Sequence, residues 1–261
     1  DSYHDIKEFW EVIDRTTHEV VDLDNWSYNE ETQEVIIKGA TPWHEYTVSF
    51  LAYCIWDPTQ MYNHITNNWG DKPHDIPFDA RKPKTNKYIF EAMHKWLDEH
   101  PEADVVRFTT FFYHFTLVFN DRAKEKYVDW FGYSSSVSAE ALREFEQVKG
   151  YKLRAEDIID EGYYNSSFRV PSKKFLDYMD FQQKFVSENV KKLVDIVHEN
   201  GREAMMFLGD NWIGTEPYGK YFENIGLDAV VGSVGGGATL RMIADIPGVK
   251  YTEGRFLPYF F

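Results

Sequence analysis

Apolar Ile6, Phe9, Trp10, Ile13, Val20 and Val21 form an imperfect stripe at helical spacing, which predicts a helix over residues 4–21 before the turn-rich stretch 22–29. Val35, Ile36 and Ile37 read as a short strand, and residues 46–55 are β-branched and aromatic enough for a buried one. Asp57, Pro58 and Thr59 start a helix with proline in its first turn. Residues 68–87, with three prolines, many charges and no periodicity, read as loop. A helix over 88–99 and a strand over 103–112 follow. Residues 122–130 and 138–149 carry helical patterns, and a long one runs from Pro171 to Asn200, with Gly201 as its stop.

Beyond Gly201 the pattern becomes regular: strand 203–208, helix 218–224, strand 229–231, helix 238–243, strand 249–252. Strands alternating with helices predict a parallel sheet, because a parallel partner needs a crossover connection. A doubly wound sheet should carry a nucleotide loop. The glycine cluster from Gly232 to Gly237 lacks both the Lys-Ser/Thr of a phosphate loop and a placed acidic partner. The fold class is therefore α/β, a (β/α) barrel, expected as a single domain over residues 1–261.

Chemistry in such a barrel sits at the carboxyl ends of the strands. That rule selects Trp56 and Asp57, Arg107 to Thr110, Gly209 and Asp210, Gly232 and Ser233, and Glu253 to Arg255, which should converge on one face.

Composition narrows the picture further. Hydrophobic residues at 43% and charged residues at 27% exclude a mainly disordered chain. The aromatic share, 17%, is high; rings of this kind line sugar clefts, although large cores are aromatic too. A net charge of -15 argues against nucleic acid or an anionic membrane as partner, yet leaves room for a small anion held by a few arginines. Cys54 is the only cysteine, so no disulfide framework forms, and the longest mostly apolar run, residues 46–56, is too short to span a bilayer. A cytoplasmic location is expected. The chain opens on Asp1 and stops in an apolar aromatic run ending at Phe261, which reads as an excerpt from a longer protein.

Asp210 follows a predicted strand through a glycine and precedes Trp212, a setting in which partial desolvation keeps a carboxyl protonated for use as a general acid. It reads equally as a cap of the next helix. Glu216 and Glu253 are the other acidic candidates. Arg107 and Arg255 at strand ends could hold a phosphate by charge-assisted bonds, or pair with carboxylates as structural ions. His44, His64, His74 and His114 lack metal-ligand spacing, so no catalytic metal is expected. Cys54 reads as core and Ser134 to Ser136 as loop.

Four long stretches carry a resemblance: Trp43-His44-Glu45-Tyr46-Thr47-Val48-Ser49-Phe50; Ile55-Trp56-Asp57-Pro58-Thr59-Gln60-Met61-Tyr62-Asn63-His64; Phe207 through Pro217; and Glu253 through Phe261. They resemble the galacto-N-biose/lacto-N-biose phosphorylases, the 1,3-β-galactosyl-N-acetylhexosamine phosphorylases, over nearly the whole chain. The resemblance implies a (β/α)8 barrel within a longer multidomain enzyme. It implies inverting phosphorolysis of a β-galactosyl disaccharide to α-galactose 1-phosphate and an N-acetylhexosamine, with phosphate as co-substrate and no cofactor.

On the same resemblance Asp210 is the general acid, and Arg107 and Arg255 bind phosphate. Pro58, Thr59, Tyr62 and Asn63 form a sugar-contacting loop, Ser233 lies at a site-facing strand end, and Tyr259 with Phe261 lines the acceptor pocket, while Glu253, placed by the strand-end rule, is a further substrate-binding candidate. Trp130 is a further sugar-stacking candidate. An early strand of the family, with another phosphate-binding arginine, has no counterpart here, so the resemblance implies that the 261-residue chain alone is inactive or at best very weak. Thr59, through its hydroxyl, is a candidate for tuning the acceptor between N-acetylgalactosamine and N-acetylglucosamine; galactosyl-rhamnose enzymes leave the acceptor open, as is homo-oligomerisation of the full-length enzyme. A barrel β-galactosidase using water, with Glu253 as second carboxylate, and a noncatalytic galactoside-binding module are the competing readings.

Overall fold

A computed structural model describes residues 6–51, 79–108, 115–119, 126–130, 137–159, 170–208, 219–234 and 236–255. The helices are α1 (Ile6–Phe9), α2 (Pro83–Glu99), α3 (Ala139–Lys149), α4 (Ala155–Ile159), α5 (Lys173–Glu199), α6 (Phe222–Ile225) and α7 (Gly237–Ala244). The strands are β1 (Glu11–Asp14), β2 (Glu19–Val20), β3 (Trp26–Asn29), β4 (Glu34–Ile37), β5 (Tyr46–Ser49) and β6 (Val105–Phe108). They continue with β7 (Phe115–Phe119), β8 (Lys126–Trp130), β9 (Glu203–Leu208), β10 (Ala229–Ser233) and β11 (Tyr251–Arg255). The chain falls into two compact units, one of Asp1–Pro77 with Val137–Phe175, the other of Phe78–Ser136 with Leu176–Phe261.

In the first unit β1 pairs antiparallel with both β2 and β5, and β3 pairs with β4. The helix expected over 4–21 is corrected here: only Ile6–Phe9 is helical, and the chain then enters a hairpin. Asp14 makes the turn, its carboxylate accepting from the amides of Thr16 at 2.9 Å and Thr17 at 3.3 Å. His18 adopts a φ of 62°, a left-handed value that no helix contains. Val12 and Ile13, adjacent and β-branched, are both buried. Long-range ion pairs tie this sheet to α4 and the turn before it. Arg15 Nη2 donates to Glu156 at 2.7 Å, and Arg154 holds Glu11 by two bonds of 2.6 and 3.1 Å. The α3 helix forms as its pattern predicts, with Ser138 Oγ accepting from the Ala141 amide at 3.0 Å and Gly150 closing it at a φ of 79°.

The second unit is built on a four-stranded sheet in the order β11-β10-β9-β6, and every pair in it is parallel. Short crossovers explain why β9, β10 and β11 lie side by side, since each returns the chain beside the strand just left. Val186, Val190, Leu193, Val194 and Val197 form one stripe of α5 and pack in a core with Val106, Phe108, Ala204, Met206 and Val230 of the strands. Asn86 of α2 donates to Asn189 of α5 at 2.8 Å. Arg81, before α2, lies over the rings of Phe181 and Phe185 at 4.1 and 4.0 Å.

Several element boundaries move from expectation. The α2 helix begins at Pro83, inside the stretch read as loop, because proline is well suited to a first helical turn. Residues 126–130 are a strand and not a helix, paired antiparallel with β7 from Phe115↔Trp130 to Phe119↔Lys126. The helix expected over 218–224 is a 3-10 turn, Gly219–Tyr221, followed by α6. β5 is half exposed where a buried strand was expected. β11 starts at Tyr251, two residues late, because the amides of Lys250 and Tyr251 both bond to the Asp228 carbonyl, at 2.9 and 3.0 Å. Among the described residues no helix is long and apolar enough to cross a membrane.

Candidate functional site

Side chains alternate across a strand, and in a parallel sheet the register fixes which of them share a face. Arg107 pairs with Met205, Phe207 with Val231, Val231 with Glu253, and Ser233 with Arg255. One face of the sheet therefore carries Arg107, Met205, Phe207, Val231, Ser233, Glu253 and Arg255. The opposite face carries Val106, Phe108, Ala204, Met206 and Val230, which pack on the helices. Gly232 and Gly254 fall on this helix face, so two residues expected at the converging site do not belong to it. The reason for glycine at 254 is packing: a Cβ there would meet Val234 Cγ2 at 2.8 Å and Leu240 Cδ1, on α7, at 3.1 Å.

The polar residues of the first face gather toward its carboxyl end. Ser233 and Arg255 are the last residues of β10 and β11, and Arg107 is the penultimate residue of β6. Arg107, Glu253 and Arg255 are exposed, Phe207 is half buried and Ser233 is buried. The Arg107 guanidinium lies 5.6 Å from the centroid of the Phe207 ring and that of Arg255 lies 5.2 Å from the same centroid. The register and the ring contacts thus bring the two expected arginines from opposite edges of the sheet to one aromatic side chain. Among the described residues neither arginine forms an ion pair with a carboxylate.

Phe207 is the residue that sequence reasoning did not single out for this face. Its strand, Glu-Ala-Met-Met-Phe-Leu, is apolar on both faces, so alternation alone does not tell which side Phe207 takes. The signal lay in the strand register that puts Phe207 on the face of Arg107 and Arg255, which only the folded sheet supplies.

Trp130 is the last residue of β8, in the β7–β8 ladder and not in the parallel sheet. Asp210, Pro58, Thr59, Tyr62, Asn63, Tyr259 and Phe261 lie outside the described residues, as do Trp56, Asp57, Gly209 and Glu216. In sequence Asp210 follows the end of β9, the strand that carries Phe207, by two residues. His44 belongs to the first unit, where its Nδ1 meets Asp14 Oδ2 at 2.6 Å. Among the described residues no three His, Cys, Asp or Glu side chains group as metal ligands.

The amino ends of the strands carry a different cluster. Asp228, just before β10, is buried; its Oδ1 accepts from Lys250 Nζ at 2.6 Å. Its Oδ2 meets His198 Nε2 at 2.7 Å and the Ala204 amide at 2.9 Å. Burial alone would raise this carboxyl, but the bonds from Lys250, Ala204 and His198 outweigh it and hold the pKa at about 2. A carboxylate locked among three donors at the amino end of a parallel sheet joins elements and leaves no lone reactive group.

A family model described as the lacto-N-biose phosphorylase N-terminal TIM barrel domain matches residues 1–261. A 1,3-beta-galactosyl-N-acetylhexosamine phosphorylase of Lachnoclostridium phytofermentans is 64% identical over 258 residues, 99% of this chain and 36% of the relative. One from Bifidobacterium longum subsp. longum is 61% identical over 257 residues, 98% of this chain and 34% of the relative. A D-galactosyl-beta-1->4-L-rhamnose phosphorylase of Lachnoclostridium phytofermentans is 41% identical over 256 residues, 97% of this chain and 35% of the relative. The chain spans about a third of the length of these curated relatives.

Proposed function

The chain belongs to the lacto-N-biose phosphorylase family through its N-terminal TIM barrel domain, and from that premise we propose that the full-length protein cleaves a β-galactosyl disaccharide with phosphate. The products are α-galactose 1-phosphate and the released acceptor sugar. The observation that carries the reading is the pair Arg107 and Arg255, brought together at the carboxyl end of one sheet face around Phe207. Two guanidiniums without carboxylate partners among the described residues make a fitting seat for a doubly charged phosphate.

Asp210 is the general acid in this reading: it protonates the glycosidic oxygen as the bond to the galactosyl carbon breaks, while a phosphate oxygen attacks that carbon from the opposite side. One carboxyl suffices, because the nucleophile already carries negative charge and needs no base. Pro58, Thr59, Tyr62 and Asn63 contact the sugar, Tyr259 and Phe261 line the acceptor side, and Trp130 stacks on a ring. Ser233 and Glu253 complete the polar wall. The relatives' names cover both N-acetylhexosamine and L-rhamnose acceptors, and the higher identity to the former favours N-acetylhexosamine. Inorganic phosphate is the co-substrate and no cofactor takes part; the domain over residues 1–261 works in the cytoplasm on small molecules.

The deciding experiment gives the full-length enzyme galacto-N-biose with and without phosphate. Phosphate-dependent galactose 1-phosphate is expected, and Asp210→Asn is expected to lower kcat by at least about 100-fold while sugar binding persists. Free galactose released without phosphate would replace the reading by a hydrolase using Glu253. No cleavage of any disaccharide would leave a binding module.

A further inference from the structure

The proposed reaction gives Phe207 no part, yet its ring is the element that the two arginines share. Arg107 comes from β6 and Arg255 from β11, the two outer strands of the sheet, with β9 and β10 between them. Both side chains are exposed, long and of the same charge. Left to themselves they would repel each other and sample many rotamers, and ordering each long side chain costs rotamer entropy. Their guanidiniums lie instead at 5.6 and 5.2 Å from a single ring centroid.

A ring anchored in the middle of a sheet can do this because its π face attracts cations and its position is fixed by the strand that carries it. Phe207 is only half buried, and its register partner Val231 is a small aliphatic residue, so core packing alone does not call for an aromatic here.

We propose that Phe207 is a positioning residue: its ring sets the place of the Arg107 and Arg255 guanidiniums so that both address one phosphate. The inference rests on the phosphorolysis reading and deepens it. Phe207 itself makes no bond to the anion; it lowers the cost of presenting two cations together. Replacing the ring by an aliphatic side chain keeps both charges and loses their alignment, which is a loss of phosphate binding and not of sugar binding.

The test uses the full-length enzyme as wild type, Phe207→Leu and Phe207→Tyr, with KM measured separately for phosphate and disaccharide. Phe207→Leu is expected to raise the phosphate KM roughly tenfold, the scale of two modest cation–π contacts, with the disaccharide KM within about twofold of wild type. Phe207→Tyr is expected to restore the phosphate KM. Should the leucine variant not fold, as judged by its unfolding transition, Phe207→Met takes its place with the same expectation.

An unchanged phosphate KM in the aliphatic variant overturns the inference while leaving phosphorolysis intact. So does an equal rise in both KM values, or a tyrosine variant as impaired as the leucine one. A wild-type enzyme with no phosphate-dependent turnover removes the functional reading and the inference with it.

Discussion

At the scale of single residues, Asp228 makes the sharpest energetic prediction. Its carboxyl is held at about 2, below the ordinary value of 3.8, because three donors outweigh the cost of burial. The folded state binds this proton less readily than the unfolded chain. The stability it contributes is therefore present above about pH 4 and is lost as pH falls toward about 2. Asp228→Ala should cost about 2 kcal/mol near neutral pH, because Lys250, His198 and the Ala204 amide all lose the charged carboxylate that they donate to. Denaturant titrations of both proteins at a series of pH values should show the difference shrinking below pH 4. A difference that stays constant down to pH 2 would mean that the carboxylate charge is not what stabilises this corner.

Elements differ in how far local sequence determines them, and two glycines show the range. Gly150 closes α3 at a φ of 79°, and a Cβ added there would meet nothing within 4 Å, so Gly150→Ala faces only the left-handed backbone penalty, about 1 kcal/mol. Gly248 has a φ of 75°, and a Cβ there would lie 2.5 Å from Glu223 Cα, a backbone atom of α6 that cannot swing aside. Gly248→Ala should cost about 3 kcal/mol, strain and overlap together, with thermal unfolding of the two variants as the measurement. Equal losses would show that the contact with α6 relaxes freely.

The same contrast governs what is readable in the sequence. The capped helix α3, the long α5 with its Gly201 stop, and β9 are legible, because caps, periodicity and stops are local signals. The segment 4–21 reads wrongly as one helix because Ile6, Phe9, Trp10 and Ile13 do fall at helical spacing. What decides its fold is the pairing of β1 with β5, many residues later, and the Asp14 turn. Residues 126–130 follow Arg122, Ala123, Lys124 and Glu125, strong helix formers all, and pair into β8 because Phe115–Phe119 offers a partner strand. Tertiary pairing overrides local preference in both places.

For the molecule as a whole, the strand-end rule leads to Arg107, Ser233, Glu253 and Arg255, and the sheet does place these four on one face. Phe207 escapes that rule because register is a property of several strands at once. The order of that sheet also has a kinetic meaning. β9, β10 and β11 follow one another closely in the chain, whereas β6 joins β9 only after the chain has passed through β7, β8, α3, α4 and α5. Closing that long loop is entropically slow, so the β9–β10–β11 half should organise first and β6 should dock late. In refolding experiments, Val230→Ala in β10 should slow folding, whereas Val106→Ala in β6 should chiefly accelerate unfolding. The arginine pair straddles this divide: Arg255 takes its place with the early half, and Arg107 arrives with the last strand to dock. The two guanidiniums would then share the Phe207 ring only once the sheet is finished, so that an incompletely folded chain presents no pair of aligned cations.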